Sequence, residues 1–340
     1  MPENSPRTAT SQLWLAELSL LAVAVIWGVN IPVMKIALDM GIDRFALNGL
    51  RLVVSAATLL ILAAMEFRSG NRPDLRGRWP RIVCYAVLVS GLYQLLFLLA
   101  VSQTTSADIA LIMATVPLWT AIGARFLLRE ILSRLAWTGL LVAFAGTVLV
   151  TLSGAAESPA AAANTVAAQQ RLAGNIIALL AALAWSGGTI LSRPMLKAIS
   201  PLQLAALSTA ICLPLHLEFA WQTLPAGISL LSSIALLLCL LYSGTLSTGL
   251  AMPMWSYGVK FAGAAHATMF QNLSPIVAIV SAWLLLGESL SADQAIGGSL
   301  ILGGLFIMRR ARAETQAERP SQPPAGNHEA LDALPKNQDH

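Results

Sequence analysis

Charge is what this chain has least of. Only 11% of its 340 residues are Asp, Glu, Lys or Arg, against about a quarter in soluble proteins, while 56% are hydrophobic. With a mean hydropathy of +0.69, a soluble domain is excluded, because a soluble core of that size would be built from amphipathic helices with polar faces. Cysteine is scarce as well. Cys84, Cys212 and Cys239 all fall inside apolar runs and show no metal-ligand spacing, so they read as packing or lipid-facing residues. Four histidines occur, with no HExxH, no paired acids and no Ser beside a base within an apolar run. That absence excludes an intramembrane enzyme of any familiar kind, and no cofactor is expected. The net charge of +4 reflects where the bases sit and implies no nucleic acid.

What the chain does have is apolar runs of roughly 20 residues, the length a helix needs to cross about 30 Å of hydrocarbon. They predict about ten spans, near 13–38, 43–66, 79–102, 107–128, 133–153, 172–196, 201–221, 231–257, 264–287 and 293–309. Residues 1–12 are polar and read as a disordered N-terminus leading into an uncleaved first span. Residues 154–171 are a low-complexity linker, and 310–340, Pro-rich and charged, read as a disordered tail.

Basic residues orient the spans. With both termini in the cytoplasm, the inner loops collect Arg68, Arg72, Arg76, Arg78, Arg81, Arg125, Arg129, Arg134, Arg193, Lys197, Lys260, Arg309, Arg310 and Arg312. The outer side keeps only Lys35, Arg44 and Arg171.

WGVNIPVMK at 27–35 is echoed by WSGGTILSR at 185–193. A shift of 158 positions superimposes Trp27 on Trp185, Lys35 on Arg193, Gly91 on Gly249, Pro117 on Pro275, Glu130 on Glu288, Gly139 on Gly297 and Gly146 on Gly304, with no gap. The chain is a duplication, with units at 13–153 and 172–309. Five spans per unit is an odd number, so the second unit starts on the opposite side of the membrane. The expected fold is therefore an all-α membrane protein of ten transmembrane helices in two inverted five-helix repeats, the architecture of secondary transporters, whose sites lie between repeats near the bilayer midplane.

These residues resemble the EamA-type branch of the drug/metabolite transporter superfamily: Trp-Gly in span one with Asn and Lys following, an Arg early in span two, and twin Pro-x12-Glu segments ending spans four and nine. The resemblance implies a ten-helix permease in a bacterial inner membrane that exports small metabolites, amino acids prominent among them. Proton-coupled and facilitated transport both stay open, as do the direction of net flux and the alternative of a multidrug-type exporter of apolar or cationic compounds.

The candidate site follows from polar residues in apolar helices. Trp27, Asn30 and Met34 share one face of span one, with Lys35 beside them and Pro32 removing a backbone donor. Arg51 lies about 12 Å inside span two, where it must face protein or water. With Lys35 it would make a positive surface for a carboxylate or phosphate; the alternative is a structural pair with Asp39 or Asp43. Tyr93 and Gln94 in span three, and Gln271 and Asn272 in span nine, offer polar contacts, and Trp119, Trp185 and Met252 offer apolar walls.

Other polar residues have structural explanations. Ser106 and Asp108 read as a helix start, Ser291 and Gln294 as a capping box, and His216 and His266 as residues at span boundaries. Gly139, Ala143 and Gly146, repeated in Gly297 and Gly304, read as packing elements or a homodimer contact.

Overall fold

A computed structural model describes residues 6–103, 112–113, 115–129, 132–155, 165–286 and 292–317. All regular structure among the described residues is helical. The helices are α1 (Pro6–Asp39), α2 (Arg44–Arg68), α3 (79–103), α4 (Val116–Leu127), α5 (Arg134–Ala155), α6 (Thr165–Met195), α7 (Pro201–Ala220), a short α8 (Leu224–Ser229), α9 (Ile234–Ala262), α10 (Ala264–Phe270), α11 (Leu273–Leu286) and α12 (Ala292–Ala317).

Six of them hold segments long and apolar enough to cross a bilayer, and Val116–Leu127, Arg134–Gly146 and Ala295–Met308 are shorter apolar helices. Large apolar side chains lie fully outward, Phe126 at 79% and Ile234 at 76% exposure among them, as lipid solvent permits and water does not. The chain is a multi-pass membrane protein.

Local chemistry sets the helix ends. Asp43 caps α2 by accepting from the Phe45 and Ala46 amides at 2.9 and 3.2 Å, and Ser200 with Gln203 closes a capping box on α7, with Pro201 at its first position. Gly263, at φ +95°, turns the chain between α9 and α10 in a conformation costly for any residue with a Cβ. Span nine, expected as one helix, is two. Pro275 has no amide hydrogen to offer the Gln271 carbonyl, and the helix breaks at Gln271 and Asn272. Pro117 stands in the same register, and there a turn at Thr115 precedes α4.

A second irregularity is also duplicated. Helix α3 runs through a π-helical stretch at Ala86–Tyr93 and α9 through another at Tyr242–Leu250, which the 158-residue shift brings into near coincidence. Wider π turns free backbone carbonyls from their usual partners. Here side chains of facing helices take them: Cys212 Sγ donates to the Ala86 carbonyl at 3.2 Å, and Trp27 Nε1 to the Ser247 carbonyl at 2.8 Å.

The two sequence units interlock. α1 packs on α9 and α11 of the second unit, and α6 packs on α3 and α4 of the first. α2 lies against α7 and the π stretch of α9, and α7 against the π stretch of α3. The glycine faces meet inside the molecule: a Cβ at Gly139 would stand 2.7 Å from the Gly304 oxygen, and one at Gly146 would stand 2.5 Å from the Gly297 oxygen. α5 and α12 therefore run antiparallel with backbones in contact, which places these glycines in an internal seam.

Candidate functional site

Three tryptophans meet at the centre of the bundle. Trp27 of α1, Trp185 of α6 and Trp255 of α9 form a near-equilateral cluster, with ring centroids 5.5, 5.5 and 5.6 Å apart. Tyr93 lies 4.8 Å from Trp185 and in turn 5.8 Å from Phe97. Trp185 and Trp255 are buried. The indoles are held by polar contacts, Trp27 through the Ser247 carbonyl and Trp185 through Gln271 Oε1 at 3.3 Å.

Beside this aromatic wall lies a polar one. Arg51 donates from Nε to Asn48 Oδ1 and from an Nη to Gln94 Oε1, both at 2.9 Å. Asn48 Nδ2 is 3.2 Å from His216 Nδ1, and His216 Nε2 is 2.6 Å from the Ser90 carbonyl in the π stretch of α3. A cavity of about 10 Å³ by the positions a water's centre can take, which is the room one water needs, lies between Ser90, Gln94, Thr209, His216, Thr248 and Met252. Arg51 carries five N–H donors, and apart from Asn48 and Gln94 no acceptor takes them among the described residues. No carboxylate is paired with it there either. The expected alternative of Asp43 as its partner is corrected, because Asp43 spends its side chain on the α2 amides.

The fold thus joins Trp27, Arg51, Tyr93, Gln94, Trp185, Met252 and Gln271 around one region. Asn30, on α1, has its Oδ1 buried with no hydrogen-bond partner among the described residues, and Asn272 has its Nδ2 in the same condition. Trp119 bonds its own helix, Nε1 to Thr115 Oγ1 at 2.9 Å, and joins none of the ring contacts above. Met34 receives the Ser243 hydroxyl at 3.3 Å. Lys35 lies on α1, with its side chain outside the described residues, and Ser106, Asp108, Glu130, Glu288 and Ser291 lie outside them altogether.

Three participants escaped the sequence reading. Trp255 stands in register with Phe97, an aromatic pair that the 158-residue shift offered. Asn48 lies three residues before Arg51 on the same helical face, a spacing that was legible. His216 was expected at a span boundary; it is 2% exposed and bonded on both ring nitrogens. His266, third in α10, lies at a helix start as expected but is not alone: it is buried and meets Glu17 Oε1 at 3.2 Å, tying α10 to α1. Sequence gives no sign of either pairing, since the partners lie 168 and 249 residues away.

Comparison with known proteins agrees with the geometry. The chain matches the EamA-like transporter family twice, over residues 14–152 and 172–310. It is 27% identical over 304 residues to the uncharacterized transporter YetK of Bacillus subtilis (strain 168), covering 86% of each chain. It is 24% identical over 300 residues to a probable terminal-alkyne amino-acid exporter of Streptantibioticus cattleyicolor, covering 86% of this chain and 92% of that one. A solved crystal structure superimposes with a TM-score of 0.62 at 19% identity, covering 88% of this chain and 98% of the other.

Proposed function

The chain belongs to the EamA-like transporter family, and from that premise we propose that it exports small metabolites, amino acids or related zwitterionic and anionic compounds, by alternating access between two inverted five-helix repeats. The observation that carries the reading is the Arg51 guanidinium, set beside the three-tryptophan cluster with donors to spare and no carboxylate partner among the described residues. A half-buried cation with donors to spare favours a ligand that brings an anionic group, and the indoles favour an apolar or aromatic body. The substrate site so proposed holds Trp27, Asn30, Lys35, Arg51, Tyr93, Gln94, Trp185, Met252, Gln271 and Asn272.

Support for inversion comes from the α5–α12 seam. Gly139 faces Gly304 and Gly146 faces Gly297, whereas register pairs Gly139 with Gly297 and Gly146 with Gly304. Such a crosswise exchange is what a two-fold axis perpendicular to the helices produces. The arginine-rich loops favour cytoplasmic termini in a bacterial inner membrane. A relative named as an amino-acid exporter is consistent with the substrate class.

The aromatic cluster also favours a second reading, export of apolar or cationic compounds, although the cation beside it repels positive charge. Purified protein in vesicles, screened against amino acids, simple carboxylates and cationic dyes, separates the two. Flux of amino acids or carboxylates is expected, and flux of dyes alone overturns the first reading.

A further inference from the structure

His216 belongs to no family motif noted above, yet every proton in its neighbourhood is dictated by its two ends. At one end Arg51 Nε can only donate, so the Asn48 atom 2.9 Å from it is the amide oxygen. That places the Asn48 NH2 toward His216 Nδ1, which must then accept. At the other end the Ser90 carbonyl can only accept, so His216 Nε2 carries the proton, at 2.6 Å. The two requirements agree on one tautomer of a neutral ring, a consistency that a chance assembly of polar groups would not guarantee.

The chain of contacts crosses three elements. Ser90 lies in the π stretch of α3, His216 on α7, and Asn48 with Arg51 on α2. Ser90 lies within the π stretch, so the irregular backbone of the first sequence unit holds a ring supplied by the second. Rotating the Asn48 amide by 180° would set its NH2 against the guanidinium and its oxygen against an unprotonated nitrogen, losing both bonds. The ring therefore locks the amide, and the amide locks the guanidinium with its remaining donors directed away from Asn48.

From this geometry we infer that His216 is a positioning residue that sets the selectivity of Arg51 for anionic groups, acting through Asn48; the inference rests on the substrate site proposed above. It predicts that an acceptor at the Nδ1 position matters more than the bulk of the ring. His216→Asn keeps such an acceptor on a shorter side chain, and His216→Leu keeps only volume.

Two measurements decide it. In bilayers, protein carrying 15N-labelled histidine should show His216 as a neutral ring protonated on Nε2, with an Nδ1 signal that moves on Asn48→Leu; a ring protonated on Nδ1, or a signal indifferent to that change, overturns the relay. In vesicles, the ratio of apparent KM for an amino acid to that for its carboxamide should rise about tenfold in His216→Leu, the size expected for loss of one well-aimed charged contact, and His216→Asn should recover most of it. An unchanged ratio in both variants, or equal losses in the two, overturns the selectivity role. Should the wild type move neither compound, the transport reading fails and the ring spectrum alone decides the relay.

Discussion

Trp27 and Trp185 occupy the same place in the two sequence units, and they meet edge to face with centroids 5.5 Å apart. Ser90 and Thr248, and Gln94 and Met252, are likewise register pairs, and they line one cavity together. Its chemistry is nevertheless one-sided: Arg51 stands in register with Thr209, and Asn48 with Ala206. Duplication supplied a shared central space, and divergence gave it a single polar wall.

The two equivalent indoles should respond differently to loss of their N–H. Trp27→Phe leaves the Ser247 carbonyl without its 2.8 Å side-chain donor, and should destabilise by about 1–3 kcal/mol. Trp185→Phe gives up only a longer, 3.3 Å bond to a side-chain amide and should cost less. Thermal unfolding in detergent measures both, and equal midpoints would contradict the assignment.

The α5–α12 seam should tolerate no added carbon. Gly146→Ala places a methyl 2.5 Å from the Gly297 oxygen, so the helices must part, at about 1–3 kcal/mol by analogy with overpacked cores. Gly303→Ala, on the same helix as Gly297 but with nothing within 4 Å, should be neutral or slightly stabilising. A comparison of unfolding midpoints decides the matter, and a neutral Gly146→Ala would remove the backbone contact.

Asn30 presents a buried oxygen with no partner among the described residues. As part of the substrate site, Asn30→Leu should insert and accumulate normally, since leucine suits an apolar helix, yet lose most transport. Normal flux at normal abundance would take Asn30 out of the site, and low abundance would mark it as structural.

Arg51→Lys should weaken carboxylate transport because a point charge replaces a planar fork, and Arg51→Gln should weaken it more. Losing a charged hydrogen bond costs about 1.5–3 kcal/mol, so apparent affinity should fall roughly ten- to a hundredfold, with less effect on an uncharged analogue. Equal losses for charged and uncharged substrates, at normal protein level, would remove anion recognition from the proposal.

Inversion is tested by topology. Reporter fusions after residues 75 and 312 should read cytoplasm and one near 160 should read periplasm, as the arginine distribution requires. A cytoplasmic signal near 160 would place both units the same way up.

Much of this was legible in one dimension. Apolar runs specify membrane helices because each helix satisfies its own backbone and hydrocarbon forbids other solutions, so length and hydropathy suffice. The 158-residue register exposed the duplication, whereas the break before Pro275, in a span expected to be one helix, emerged only in the folded chain. Trp27, Arg51, Tyr93 and Trp185 were recognisable as polar or aromatic anomalies in apolar surroundings. Partnership was not recognisable, because it depends on which helices cross and at what depth. Asn48, three residues before Arg51 on one helix, is the exception; that Gln94 also reaches Arg51, and that His216 and His266 find buried partners on other helices, was decided by α7 and α10 packing against α3, α2 and α1. Nor does the sequence announce the π stretches, which pack against α7 in the first unit and α2 in the second. A side chain's chemistry is written in the chain, whereas its partner is fixed only when distant helices come within 3 Å, and that is a property of the folded packing alone.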